Sequence, residues 1–241
     1  YPGMRRAMQE MIRNRMTSVQ RLEMTSTNIP LDRLLDSSMD QDIDIIRRTK
    51  ESISHEEFYR AADALVKVKK VYIIGAGSSL AIATFLSYYF SLVFDSVQLI
   101  SATSEAQILQ QMVHIGEGDA LVGISFPRYS MRTMKALEFA NSRKAKVITI
   151  TDSVHSPMNV YAACTLIAKS DMASIVDSLV APLSVINALV VALCMKRQAD
   201  VKKTLESMEK LWDEYQVYSN DEINGLDDAR PMGGKKAALP V

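Results

Sequence analysis

The chain has 241 residues, 48% hydrophobic and 23% charged, which is apolar enough for one large core plus a small accessory element and excludes a disordered chain. Its 28 Lys and Arg balance its 28 Asp and Glu, so no global field draws the whole molecule onto nucleic acid or an anionic membrane, and any such role is local.

From Met4 to Val19, the apolar residues Met4, Met8, Met11, Ile12 and Met16 recur at helical spacing. Arg5, Arg6, Arg13, Arg15 and Arg21 stand against a single acid, Glu10. This predicts a basic amphipathic helix, which is either a solvated face over a Met stripe or a helix lying near DNA. Asn28-Ile29-Pro30 ends the pattern, because the residue before proline is pushed out of the helical region, and a linker is expected near residues 25–30. Leu31, Leu34, Leu35, Met39, Ile43 and Ile46 then fall on one face of a second helix. Ser54-His-Glu-Glu57 has the capping-box form and opens a third helix carrying Phe58, Ala61, Ala62 and Leu65.

Short Val- and Ile-rich runs follow at Val71 to Ile74, Val97 to Ile100, Ala120 to Ile124, Val147 to Ile150 and Thr165 to Ala168. Helix-length patterns at Leu80 to Phe94, Ala106 to Val113 and Ser130 to Ala140 separate the first four. That alternation predicts an α/β fold, a three-layer αβα sandwich with a five-stranded parallel sheet. Ser156-Pro157 starts a short helix before the fifth strand, and long helices are expected over Asp177 to Arg197 and Asp200 to Val217. The first of these holds the longest apolar stretch, Leu179 to Met195, broken by Pro182, Ser184 and Asn187, so it reads as a buried helix and not a membrane span. Residues 218–241 lack a sustained apolar face and are expected to be a disordered tail. Cys164 and Cys194 lie in apolar runs with no CxxC or His partner, as buried reduced thiols of a cytoplasmic protein would. The chain opens at Tyr1 with neither an initiator Met nor a secretion signal, and reads as processed or as an excerpt of something longer.

In an open parallel sheet, ligands bind outside the carboxyl ends of the strands. After the first strand comes Gly75-Ala-Gly77-Ser78-Ser79, whose glycines allow close backbone approach and whose serines open a helix, so it is either an anion cradle or simply a tight turn. Leu80 stands where a GxGxxG fingerprint needs its third glycine, and no acid ends the second strand, so a nicotinamide cofactor is not expected; there is no GK[ST] either. After the third strand, Ser125-Phe-Pro-Arg128-Tyr-Ser130-Met-Arg-Thr133 forms a second hydroxyl-rich loop. Ser130 and Thr133 have capping as their ordinary role, while Arg128 at the crevice mouth suits a phosphate or carboxylate. Thr151-Asp152-Ser153 after the fourth strand reads as a turn. His55, His114 and His155 lie far apart, and neither a metal site nor any cofactor is expected.

These loops, together with Ile150-Thr151-Asp152-Ser153 and Ser156-Pro157, resemble the phosphosugar-binding SIS (sugar isomerase) domain of RpiR-type bacterial transcription regulators, over about residues 40–200. Tyr1 to Met4 and the Arg-rich helix resemble the end of the helix-turn-helix domain that precedes it in that family. The resemblance implies a flavodoxin-like sheet and a division into residues 1–30 (end of the DNA-binding domain and linker helix), 31–217 (sugar-phosphate domain) and 218–241 (tail). It implies that Ser78, Ser79, Ser125 and Ser130, with Thr133 beside them, hold a sugar's phosphate, and Arg128 joins them as the candidate cation. Family loops often read Ser-x-Ser-Gly-x-Ser/Thr; here Pro127 and Arg128 replace the second serine and the glycine, exchanging a hydroxyl for a cation.

An aldose-ketose isomerase needs a positioned carboxylate or His base. Glu105, Asp152, His155 and Asp177 are the ionisable candidates, and none sits in a recognisable isomerase pattern. The expectation is therefore a non-catalytic sensor: a transcriptional regulator whose sugar-phosphate effector shifts the arrangement of a homodimer or homotetramer and so the spacing of DNA-binding domains upstream of Tyr1. A phosphosugar isomerase and an assembly module with a vestigial crevice are the alternatives. No membrane partner is expected.

Overall fold

The computed structural model describes residues 16–28, 30–170 and 176–217. The Met-rich helix expected from Met4, apart from its end, and the tail expected at 218–241 lie outside the described residues. The chain divides into two compact units, 1–201 and 202–241.

The first unit opens with helix α1, Ser18–Asn28, a 3-10 turn at Leu31–Arg33, α2, Leu34–Ser52, and α3, His55–Val66. The helical pattern expected to run unbroken through Val19 is interrupted, since Met16 and Thr17 are not helical. The cause is a capping box at Thr17: its Oγ1 accepts from Gln20 N–H at 3.3 Å while Gln20 Oε1 accepts from Thr17 N–H at 2.9 Å. At α3, Ser54 caps by accepting from Glu57 N–H, but the Glu57 carboxylate goes to Arg60 and to the Thr165 N–H.

Then come β1 (Val71–Gly75), α4 (Ser79–Val93), β2 (Val97–Ile100), α5 (Glu105–Gln111), β3 (Ala120–Ile124), α6 (Met131–Ser142), β4 (Lys146–Thr151), a 3-10 turn (Pro157–Val160), β5 (Cys164–Ile167), α7 (Val180–Lys196) and α8 (Gln198–Glu214). All five strands are parallel, in the order β2-β1-β3-β4-β5. The two central strands β1 and β3 are wholly buried, which is why they read as unbroken apolar runs. Strand periodicity divides them between two layers. Val71, Ile73, Val122 and Ile148 pack with Leu65, Leu86, Phe90 and Leu189 of α3, α4 and α7, while Tyr72, Ile74, Leu121 and Val147 pack with Ile108 and Leu137 of α5 and α6. The expected three-layer sandwich is what forms.

Helix α2 does not turn its apolar stripe to the core. The side turned inward carries Ile45 and Thr49, and the apolar stripe from Leu31 to Ile46 faces out, Leu31 being 89% and Leu35 72% exposed. Smaller differences lie at element ends, where β5 starts one residue early and α5 stops before the turn at Met112 to His114. Cys164 is buried and Cys194 half-buried, both as free thiols. Among the described residues no single helix is long and apolar enough to cross a membrane.

Candidate functional site

The sheet order reverses at β1, whose chain leaves toward β2 on one side while β3 lies on the other, and in such sheets the crevice opens at that point. Gly75 is in register with Ile124, so the loops that begin at Ala76 and Ser125 leave the sheet side by side. The two hydroxyl-rich segments meet because the register requires it.

The β1 loop depends on its glycines for two different reasons. A Cβ on Gly75 would lie 2.6 Å from the Ser79 carbonyl oxygen, so only glycine lets the start of α4 come this close to the strand end. Gly77 has open space but a φ of +61°, the left-handed region that side chains disfavour. Leu80 and Ala81 N–H turn back onto the Gly77 and Ser78 carbonyls, which leaves the leading amides of α4 without partners in the helix. Ser79 is buried at the helix start. Ser78 is exposed, with helical backbone and no capping bond of its own. Its hydroxyl donates instead to Asp177 Oδ2 at 3.3 Å, and Asp177 Oδ1 accepts from Arg21 Nη1 of α1 at 3.0 Å.

In the β3 loop, Ser125 is buried and its Oγ accepts from Ser130 N–H at 3.1 Å. Ser130 caps α6, accepting from Thr133 N–H at 3.4 Å. A hydroxyl that accepts a backbone N–H keeps its own proton to donate, so both serines can still serve an anion. Thr133 is fully buried, and its hydroxyl has no partner among the described residues. Arg128 is exposed, and none of the described hydrogen bonds or ion pairs engages it.

Sequence reasoning missed what pins this loop. Tyr129 Oη donates to Asp152 Oδ1 at 2.8 Å, beyond β4, where Thr151 Oγ1 lies 3.3 Å from Asp152 Oδ1 and 3.0 Å from Ser156 Oγ. Burial, and then the negative carboxylate beside it, push the Tyr129 phenol well above its usual value. The expected Thr151 to Ser153 turn is therefore also the anchor of its neighbour, a link that spacing alone does not reveal. Of the other ionisable candidates, Glu105 pairs with Lys135 at 2.6 Å and His155 is exposed on its turn. Asp152 thus holds the β3 loop through Tyr129, while Asp177 contacts the β1 loop through the Ser78 hydroxyl. Elsewhere a cavity of about 380 Å³ lies between α2, α3 and α7, lined by Ile46, Ile53, Phe58, Tyr59 and Val185 among others, an apolar surface unsuited to phosphate.

The structure is an all-parallel αβα sandwich with two hydroxyl-bearing loops side by side at its switch point. The chain belongs to the SIS domain family, whose model matches residues 64–192. An uncharacterized helix-turn-helix-type transcriptional regulator of Caldanaerobacter subterraneus is 26% identical over 165 residues, 66% of this chain and 57% of that protein. The chain spans about half the length of the curated relatives it matches, 57% and 41% of them. Among solved structures, the sugar isomerase domain of an RpiR transcription factor from Sphaerobacter thermophilus superposes with a TM-score of 0.70 at 22% identity, covering 74% of this chain and 99% of that one. The NanR protein of Vibrio vulnificus, complexed with ManNAc-6P, gives 0.68 at 16% identity over 81% and 73% of the two chains. A phosphoheptose isomerase from Neisseria gonorrhoeae has the same fold, at a TM-score of 0.59 and 16% identity, covering 68% and 98%.

Proposed function

We propose that the chain is the effector-sensing part of a transcriptional regulator of sugar metabolism. In this reading a sugar phosphate is held by Ser78, Ser79, Ser125 and Ser130 with Arg128 at the mouth, and Thr133 supports the loop from beneath. The observation that carries it is the pairing of two hydroxyl-bearing helix starts across the β1–β3 register, with an exposed, unengaged arginine beside them. Helix starts offer amides and a favourable dipole to an anion, and a guanidinium adds a bidentate grip. Curated relatives that are helix-turn-helix-type transcriptional regulators support the regulatory role, and the ManNAc-6P complex of a protein with this fold supports a phosphorylated sugar as effector. DNA contact then falls to a helix-turn-helix domain ahead of residues 1–30, and the effector shifts the subunit arrangement of a cytoplasmic homodimer or homotetramer.

One observation favours an isomerase as the second reading. Asp177 reaches a candidate phosphate-binding serine, accepting from Ser78, although its carboxylate is already engaged by Arg21.

A thermal-shift panel of hexose, amino-sugar and pentose phosphates with their unphosphorylated counterparts, each hit followed by NMR for turnover, separates the readings. At a hundredfold excess over Kd a specific ligand stabilises by about 2.7 kcal/mol. The sensor requires a phosphate-dependent hit that Ser125→Ala abolishes and no turnover. Conversion to the isomeric sugar phosphate would establish the isomerase, and a blank panel would refute both.

A further inference from the structure

Resting on the phosphate-binding reading above, we propose that Arg21, Asp177 and Ser78 form a latch that ties α1 to the anion loop, and that a phosphate entering the loop opens it by taking the Ser78 proton.

Helix α1 is held in an unusual way. Among its described side chains Arg21 is the buried one, while Val19 and Leu22 are exposed. Among the described contacts it meets the sandwich through a guanidinium, 4% exposed as a side chain, set against an Asp177 carboxylate that is 28% exposed. The second oxygen of that carboxylate takes the Ser78 hydroxyl proton. The neighbouring Ser178 donates to Asp42 of α2 at 2.7 Å, so a movement of this turn is felt by both N-terminal helices.

Ser78 differs from the other loop serines in this respect. Ser125 and Ser130 accept backbone N–H groups and keep their protons, whereas the single proton of Ser78 is spent on Asp177. A hydroxyl has one donor, and a phosphate dianion has acceptors only, so the Ser78 proton serves either the carboxylate or the phosphate. The two anions also repel across the short distance that Ser78 spans. Phosphate therefore competes with the latch. Linkage then makes the effect reciprocal, because the factor by which the closed latch weakens phosphate is the factor by which phosphate loosens α1. The helix that leads toward the chain's N-terminus thereby senses occupancy of the crevice without touching the ligand.

The test combines two measurements on the full chain, amide hydrogen exchange of residues 18–28 and titration with inorganic phosphate. Asp177→Asn keeps the shape and removes the charge. It is expected to bind phosphate about fivefold tighter, because a neutral amide oxygen holds the Ser78 proton less strongly than a carboxylate and does not repel the phosphate, and its α1 amides exchange severalfold faster without ligand. In the natural chain phosphate speeds α1 exchange, and in Asp177→Asn it adds nothing. Arg21→Gln, a second variant that leaves both Ser78 and Asp177 in place, also frees α1. Unchanged or weaker phosphate binding by Asp177→Asn overturns the competition, and α1 exchange indifferent to both variants overturns the latch. If phosphate binds none of the proteins, the phosphate-binding reading falls and the competition with it, while ligand-free exchange still decides whether the latch exists.

Discussion

Tyr129→Phe is the sharpest test of how the β3 loop is held. The substitution removes one hydroxyl that donates over 2.8 Å to a carboxylate whose residue is 9% exposed. A hydrogen bond to a charged acceptor contributes about 1.5–3 kcal/mol net, and losing the donor leaves the acceptor to bear its desolvation. Thr151 Oγ1 stays on the same oxygen at 3.3 Å, so compensation is partial and the expected loss is about 2 kcal/mol. For a folded unit of this size that lowers Tm by about 4–8 °C by calorimetry. A pH dependence accompanies it. The folded-state phenol titrates above its unfolded value of about 10, so its contribution is fully present below that pH and disappears as pH rises beyond it. The phenylalanine variant lacks this alkaline loss. Because Tyr129 lies between Arg128 and Ser130, phosphate affinity should fall as well. A stability change under 0.5 kcal/mol, or an alkaline limb identical in both proteins, would refute the reasoning.

Gly75→Ala should cost more than Gly77→Ala, by urea denaturation. The first Cβ meets Ser79 backbone at 2.6 Å and forces α4 to move, for about 2–3 kcal/mol, while the second meets only an unfavourable φ, for about 1 kcal/mol. Leu35→Lys and Ile43→Lys on the outward stripe of α2 should each change the stability of dilute protein by less than about 0.5 kcal/mol. Sedimentation of the same variants reports whether a second copy covers that stripe in solution. Burial raises the Cys194 thiol pKa, so at neutral pH alkylation of this side chain should be slower than that of a free thiol, accelerating in denaturant.

The sandwich was legible because its central strands are buried on both faces, so their apolar runs stand out from the amphipathic helices between them. The caps at Ser54, Ser130 and Ser156 were legible for a local reason, since each acts within three residues of itself. Direction was not legible. The α2 pattern defines a stripe but not what it faces, and the structure turns Ile45 inward instead. The same limit governs the site. Ser78, Ser125 and Ser130 follow from strand ends and helix starts, but the Ser78–Asp177 and Arg21–Asp177 contacts join residues 99 and 156 apart in sequence, where no periodicity reaches. The Thr17–Gln20 box carried a readable signal, which the basic Met pattern running across it obscured.

Helix α3 has a consequence for how copies of the chain meet. Strand β5 ends the sheet, and an unpaired strand edge is a template on which another chain can extend it. Here Glu57 accepts the Thr165 N–H that points away from β4, and Arg60 donates to the Ala163 carbonyl at 2.6 Å and to Cys164 Sγ at 3.4 Å. One turn of helix has taken up part of the hydrogen-bonding capacity that an incoming strand would need. Growth of the sheet past β5 meets a helix at its first residues, and association on that side falls more easily to side chains on helices, whose packing can slide and re-form without breaking a backbone ladder.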